Sequence, residues 1–319
     1  MNKSLNKSQD NKKYSIQACK LAGGKLAYPI ISELFSDTQC SVYVEPFCGT
    51  AVTMLNKVPC KKEIISDIDS TLIDFLIELR DNPDRIVNML IQSRYDMEAF
   101  VNGKSVVNSD SSTRLEKALA FAITSISSFD YNNVNFRKNR SEIRKNGYVD
   151  FYVRNIYKAS NRLSGVDISA VDYKKALTEE VLNNSDVAVY MDPPHNKRQL
   201  GQSLGFDKQE TEEMIEWIKD SKAYIGITAP RVAGNPYDRI LGSRNDWRCY
   251  YLGSKKDFAS ALDSKNKKIG SVNMWLWTNR IPSLKAISKL NCCFPVTTME
   301  FYKMFNENKD MAKKKFYTK

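Results

Sequence analysis

Short apolar runs that lead into acidic residues constrain this chain more than any other feature. Three of them, SVYVEP, KEIISDID and VAVYMDPP, lead into Glu45, Asp67 and Asp192. The segment after the second run, STLIDFLIELRD, spaces its apolar residues as on one face of a helix. Strands that alternate with helices in this way predict an α/β fold on a mostly parallel sheet.

The same patterns and several capping residues predict further elements. The runs AYIGITAP, WRCYYLG and SVNMWLWTN predict three more strands. Asp69 or Ser70 is the expected N-cap of the STLIDFLIELRD helix, and Pro83 suits the first position of the next helix. Asp207, followed three residues later by Glu210, predicts a capping box, so another helix should begin there.

The acids at the strand ends predict a ligand site, because ligands of open α/β sheets bind beyond the carboxyl ends of the strands. Asp67 comes 18 residues after Gly49, a separation that suits an acid binding ribose hydroxyls. The turn EPFCGTA lacks the G-x-G-x-x-G glycines that cradle a pyrophosphate. This argues against a nicotinamide-dependent oxidoreductase and favours a nucleoside cofactor without phosphates, of which S-adenosylmethionine is the obvious one.

A basic and aromatic stretch lies between the second and third acid-tipped runs. Residues 129–158 contain seven Lys or Arg, seven Phe or Tyr, six Asn and three acids, a mixture that suits contacts to phosphates and bases. Because the stretch lacks clean helical periodicity, we favour nucleic-acid binding over a helical subdomain with a local aromatic core. The candidate contacts are Asn132, Asn135, Arg137, Lys138, Arg140, Arg144 and Lys145.

The overall charge also favours a polyanionic partner. Lys and Arg total 48 against 37 Asp and Glu, a net charge of +11, although a merely basic surface is the alternative. No apolar run approaches the roughly 18 residues of a membrane span, and the polar N-terminus lacks the core of a secretory signal. A cytoplasmic protein is therefore expected. The seven cysteines form no C-x-x-C pair, so no metal site is predicted.

Four motifs together resemble a known family. LAGGK, YVEPFCGT, SDID and MDPPH match, in order and spacing, the successive motifs of the Dam-type (alpha-class) adenine-specific DNA methyltransferases. The resemblance implies a Rossmann-like, S-adenosylmethionine-dependent methyltransferase fold. Its catalytic domain would comprise residues 1–81 and 165–319, and residues 82–164 would form an inserted, mainly helical target recognition domain. One departure is Ala51, where relatives often carry a further glycine.

The resemblance also implies a role for each matching residue. Lys25 would meet the methionine end of the cofactor, Asp67 would accept from the ribose hydroxyls, and Ile68 would pack beside the adenine ring. The other implied cofactor contacts are Leu21, Gly23, Gly24, Glu45, Pro46, Phe47, Gly49, Asp172, Tyr173 and Asp192. Lys197 and Arg198, which follow the last motif, are added as DNA contacts.

The Asp-Pro-Pro-His motif explains how the chemistry would proceed. The amino nitrogen of adenine is a poor nucleophile, because its lone pair is delocalised into the ring. The Asp192 carboxylate and the Pro193 carbonyl would accept from the amino hydrogens, and Pro194 stiffens the chain so that both acceptors stay aimed. His195 stands where the family has Tyr, Phe or Trp, and we interpret it as a neutral platform that stacks on a flipped adenine.

The predicted function is site-specific methylation of adenine N6 in double-stranded DNA. Two alternatives stay open: a catalytically impaired relative that binds cofactor and DNA, and an RNA adenine or cytosine-N4 methyltransferase. A cognate restriction endonuclease is a candidate partner, and a monomer or weak dimer is expected.

Overall fold

The computed structural model describes residues 16, 28–128, 136, 148–194, 206–231, 235–257 and 270–283. Its centre is a seven-stranded sheet with the strand order β3-β2-β1-β4-β5-β7-β6. The strands are β1 Val42–Glu45, β2 Lys62–Asp67, β3 Asp167–Ala170, β4 Val187–Met191, β5 Tyr224–Pro230, β6 Arg248–Asp257 and β7 Gly270–Thr278. The expected α/β, Rossmann-like fold is therefore confirmed.

The strand directions create a switch point between β1 and β4. All neighbouring pairs from β3 to β5 are parallel, whereas β7 pairs antiparallel with both β5 and β6. From β1 the chain continues to β2 on one side, and from β4 it continues to β5 on the other. A crevice at such a reversal, beyond the carboxyl ends of the strands, is where ligands of open α/β sheets bind.

The helices begin largely where the capping residues predict. Asp69 caps the helix Ser70–Asp81 through hydrogen bonds from two backbone N–H groups, Pro83 begins the helix Pro83–Gln92, and Asp207 and Glu210 form the expected capping box of the helix Lys208–Ile218. The helices are α1 Tyr28–Ser36, α2 Val52–Asn56, α3 Ser70–Asp81, α4 Pro83–Gln92, α5 Met97–Val107, α6 Arg114–Ser127, α7 Tyr148–Leu163, α8 Tyr173–Ala176, α9 Glu179–Leu182, α10 Lys208–Ile218 and α11 Pro236–Leu241.

Two hydrophobic clusters cover the two faces of the sheet. Successive strand residues point to opposite faces, so Tyr43 belongs to one cluster and Val44 to the other. The first cluster also contains buried side chains from α3, α4, α6 and α7, among them Phe75, Phe121 and Ile156. Helices on both sides of residue 82 therefore share one core, and the proposed division at that residue stays a functional prediction.

Helix α7 differs from the prediction for the basic and aromatic stretch. The expectation that this stretch lacks helical periodicity is wrong for residues 148–163, which form one continuous helix. Tyr152, Ile156, Ala159 and Leu163 are all buried at helical spacing, and they face the first cluster. This half of the stretch therefore supports the alternative of an aromatic helix in a core. The predicted DNA contacts between residues 132 and 145 lie outside the described residues.

Two searches of the described part of the chain give negative results. None of its helices has the length and hydropathy needed to cross a membrane. Within the same part of the chain, no three His, Cys, Asp or Glu side chains converge into a possible metal site.

Candidate active site

Acidic residues end the strands at the switch point, as the sequence predicts. Strand β1 ends at Glu45 and β2 ends at Asp67, while Asp192 directly follows the last residue of β4. Because these strands are parallel neighbours, the three carboxyl groups belong to the same edge of the sheet. Because β1 lies between β2 and β4, Asp67 and Asp192 flank Glu45 at this edge.

Two hydrogen bonds connect the turn that follows β1 to the end of β2. The backbone N–H of Gly49 donates to Asp67 Oδ2 at 3.0 Å, and the N–H of Cys48 donates to the carbonyl of Ser66 at 2.9 Å. Gly49 has a φ of 49°, which favours glycine. Among the described residues, apart from its chain neighbours, none has an atom within 4 Å of a methyl group placed at its Cα.

Ala51 explains why relatives often have a second glycine in this turn. Its φ of 53° and ψ of 29° place it in the left-handed region, and it is fully buried at the start of α2. An alanine there costs roughly 1 kcal/mol or more relative to an ordinary conformation. Residue 51 therefore keeps a left-handed backbone conformation in this chain, although glycine would adopt that conformation at a lower cost.

Asp67 is held in place by the backbone around it. Besides the bond from Gly49, its Oδ1 accepts from the N–H of Asp69 at 3.0 Å. Burial raises the pKa of Asp67, and the hydrogen bonds from these backbone N–H groups partly offset that effect. A carboxylate has about four acceptor positions, so the fixed Asp67 can accept further donors. The next residue, Ile68, has 57% of its side chain surface exposed, which gives the site an apolar contact.

Glu45 is a buried acid at the centre of the site. Its exposed fraction is 2%, and Tyr43 donates a hydrogen bond to its Oε2 at 2.7 Å. Burial raises the pKa of Glu45 to about 8, the negative charge of Asp192 adds to the rise, and the Tyr43 hydrogen bond and Lys57 act against it. Tyr43 was not predicted from the sequence, although its position two residues before Glu45 puts both side chains on one face of the strand.

Asp192 is held by a neighbouring strand. Thr228 in β5 donates to Asp192 Oδ1 at 2.8 Å, and the hydroxyl of Tyr190 lies 3.0 Å from Thr228 Oγ1. Pro193 is buried and Pro194 half-buried, so the backbone after Asp192 is packed against the protein. Thr228 and Tyr190 were not predicted from the sequence, and the available signal for Thr228 was a hydroxyl inside the apolar run AYIGITAP.

An aromatic cluster borders the turn that follows β1. The rings of Phe47 and Tyr173 stack with their centroids 5.4 Å apart, and Phe206 lies 5.6 Å from each of them. Asp172 caps the short helix α8 by accepting from the N–H of Lys174 at 2.9 Å. Phe47 therefore joins the turn to Tyr173, and the structure brings together these two predicted cofactor residues from distant parts of the sequence.

The remaining predicted site residues lie outside the described residues. They are Leu21, Gly23, Gly24, Lys25, His195, Asn132, Asn135, Arg137, Lys138, Arg140, Arg144, Lys145, Lys197 and Arg198. Their roles stay predictions.

The comparison with protein families agrees with this arrangement. The family of D12 class N6 adenine-specific DNA methyltransferases matches residues 22–219, which is more than half of the chain. The matched range contains the turn after β1, the end of β2 and the Asp-Pro-Pro motif after β4. A search of curated proteins gives no significant match. The chain belongs to the family of D12 class N6 adenine-specific DNA methyltransferases.

Proposed function

We propose that this enzyme transfers the methyl group of S-adenosylmethionine to N6 of an adenine that has left the DNA duplex. The single observation that carries the proposal is the position of Asp192. Its carboxylate stands directly after β4 at the switch point, accepts a hydrogen bond from Thr228, and lies near enough to Glu45 to add to the rise in pKa that burial causes there. An acceptor is thus placed where open α/β sheets bind their ligands.

The described residues fit S-adenosylmethionine in three respects. The backbone at Gly49 would let the nucleoside approach closely, because no atom of the described residues beyond its chain neighbours lies within 4 Å of the position that a side chain would take. Asp67 is oriented by two backbone N–H groups and can accept from ribose hydroxyls, while the exposed Ile68 offers an apolar surface to a purine. The negative charge of Asp192, which also acts on the neighbouring Glu45, favours a cation such as a sulfonium at this end of the sheet.

The residues of the chain would supply acceptors rather than covalent chemistry. When bound, S-adenosylmethionine would supply an electrophilic methyl group attached to a positively charged sulfur. Asp192 and the Pro193 carbonyl would accept from the two amino hydrogens of adenine, so the nitrogen lone pair is turned away from the ring. Because these acceptors are fixed before the substrate arrives, little reorganisation is needed during the reaction.

DNA contact is proposed for the basic residues before and after the catalytic motif. The net charge of +11 supports attraction to a polyanion, and the family acts on DNA. A target adenine reaches such a pocket only by leaving the base stack. His195 would then stack on it. A monomer or weak dimer and a cognate restriction endonuclease as partner stay predictions.

The proposal is tested by methyl transfer from labelled S-adenosylmethionine to duplex DNA, followed by digestion to nucleosides. We expect N6-methyladenine from the parent enzyme and a loss of at least about 100-fold in rate for Asp192→Asn, since one charged acceptor is removed. Asp220→Asn makes the same chemical change at an exposed residue that pairs with Arg244, and it should leave the rate within about twofold.

The other outcomes separate the alternatives. Label in N4-methylcytosine, or transfer to structured RNA in preference to duplex DNA, would contradict the adenine-N6 assignment on DNA. Binding of cofactor and DNA without any transfer would identify a catalytically impaired relative. If Asp192→Asn kept the parent rate, the role proposed for this carboxylate would be wrong.

A further inference from the structure

A chain of buried hydroxyl groups leads to the candidate catalytic carboxylate. Thr228 Oγ1 lies 2.8 Å from Asp192 Oδ1 and 3.0 Å from the hydroxyl of Tyr190. Thr228 and Tyr190 have 1% and 2% of their surface exposed, so bulk water does not compete for these hydrogen bonds.

The donors and acceptors of this chain can be assigned from the chemistry of its last member. A carboxylate only accepts, so Thr228 must give its single hydroxyl proton to Asp192. The carbonyl of Met191 also lies within reach of Thr228 Oγ1, at 3.5 Å, but the bond to the carboxylate at 2.8 Å is shorter and assisted by charge. Thr228 can therefore only accept from Tyr190, which makes Tyr190 the donor of that bond.

Tyr190 can act as this donor because it stays protonated. Burial raises the pKa of Tyr190 well above its ordinary value, so its hydroxyl keeps the proton that it donates to Thr228. The two hydroxyls thus point one way, from Tyr190 in β4 through Thr228 in β5 to Asp192.

We propose that Thr228 and Tyr190 are positioning residues, which hold the Asp192 carboxylate in the orientation that accepts from the adenine amino group. The proposal rests on the function proposed above for Asp192. Neither residue touches the substrate in this mechanism. Because a hydrogen-bond chain of single direction in a buried site has no second arrangement of equal energy, the carboxylate is prevented from rotating when the base enters.

The contribution should appear in the chemical step and not in binding. An interaction that aims an acceptor at the reacting nitrogen is needed in the transition state, whereas ground-state binding of DNA and cofactor depends on other contacts. Removing the Thr228 hydroxyl should therefore lower the rate constant of methyl transfer and leave the Michaelis constants unchanged. A residue that only supports the fold would instead change stability or all constants together.

The test compares Thr228→Val, Thr228→Ser and Tyr190→Phe in single-turnover methyl transfer to duplex DNA. For Thr228→Val we expect the rate to fall about 10- to 100-fold, with the dissociation constants of DNA and S-adenosylmethionine within about twofold of the parent. Thr228→Ser keeps the hydroxyl and should restore the rate to within about threefold of the parent. Tyr190→Phe acts through Thr228, and a loss of about 3- to 10-fold is expected.

Thr278→Val is the matched control. Thr278 is fully buried in the neighbouring strand β7, and its hydroxyl bonds the backbone of Arg280 instead of a site residue. It should leave the transfer rate within about twofold of the parent. Urea unfolding of every variant shows whether a loss of rate reflects a loss of folded protein.

The outcomes distinguish this inference from the proposed function. If the parent transfers methyl groups and Asp192→Asn does not, but Thr228→Val has the full rate, the positioning role is wrong and the proposed function stands. A loss of rate in Thr228→Val that Thr228→Ser fails to restore, with equal stability, also overturns the role of the hydroxyl. A parent that is inactive on every duplex overturns both.

Discussion

Replacing Glu45 by glutamine should change how the stability of the protein depends on pH. In the folded protein burial raises the pKa of Glu45 to about 8, whereas its ordinary value is 4.5. Between these two values the folded protein holds a proton that the unfolded chain releases, so the free energy of unfolding falls as the pH rises. The stability that Glu45 contributes is thus fully present below about pH 4.5 and is lost as the pH rises through about 8.

The structure sets the size of this effect. The two pKa values differ by about 3.5, and each unit corresponds to about 1.36 kcal/mol, which gives about 5 kcal/mol as the upper limit. Glu45→Gln cannot ionise, and the amide oxygen can still accept from Tyr43. We therefore expect the free-energy advantage of the variant over the parent to grow by about 2–5 kcal/mol between about pH 5 and about pH 9.

Urea unfolding measured by tryptophan fluorescence provides the assay. Trp247, Trp275 and Trp277 are buried, so unfolding exposes them to water. Glu180→Gln, at an exposed position in α9, is the matched control, and its curve should run parallel to that of the parent. Parallel pH curves for the parent and Glu45→Gln would refute the argument, because Glu45 would then ionise alike in the folded and the unfolded protein.

Three further predictions concern other parts of the molecule. Arg162→Met should lower the free energy of unfolding by about 2–3 kcal/mol, because it leaves Lys57 as the one cation paired with the buried Glu63. The control Arg154→Met, at an exposed position on the same helix, should cost less than about 0.5 kcal/mol in urea unfolding. Equal costs for the two variants would contradict a buried ion cluster. In the same assay, the free energy of unfolding of Ala51→Gly should stay within about 1 kcal/mol of the parent. Ala51→Val should lose at least about 2 kcal/mol, since a β-branched residue fits poorly at a buried position with positive φ. A valine variant as stable as the parent would contradict this. His195→Tyr should preserve or raise methyl transfer and His195→Ala should reduce it sharply, and an alanine variant as active as the parent would exclude stacking by His195.

Features that depend on neighbouring residues were predicted correctly from the sequence. The ends of β1 and β2, the N-cap Asp69 and the capping box of Asp207 are set by local periodicity and local hydrogen bonds, and the structure has them as expected. The residues proposed to bind the cofactor come from resemblance to a family, and the structure brings several of them to one edge of the sheet.

Features that depend on distant contacts were missed. Helix α7 was not recognised, because its buried face includes Tyr152 and its Asn155 satisfies one donor by bonding the carbonyl of Phe151. Tyr and Asn side chains do not by themselves predict the buried face of a helix, and this face is buried because α3 and α4 pack against it. Likewise, Thr228 reaches Asp192 only because β5 pairs with β4, a pairing across 36 residues that no local pattern reveals.

The core that α3, α4, α6 and α7 share with the sheet limits how the enzyme could be retargeted. Grafting residues 82–164 from a relative that recognises another DNA sequence would replace the part of this core that α4, α6 and α7 supply and keep the part that α3 and the sheet supply. It would also replace Arg162 while keeping its partner Glu63. Cavities or overlaps are then expected at the seam. Grafting only residues 129–147, between the end of α6 and the start of α7, leaves the packed side chains of both helices in place. Chimeras that exchange only residues 129–147 should therefore fold more often than chimeras that exchange residues 82–164.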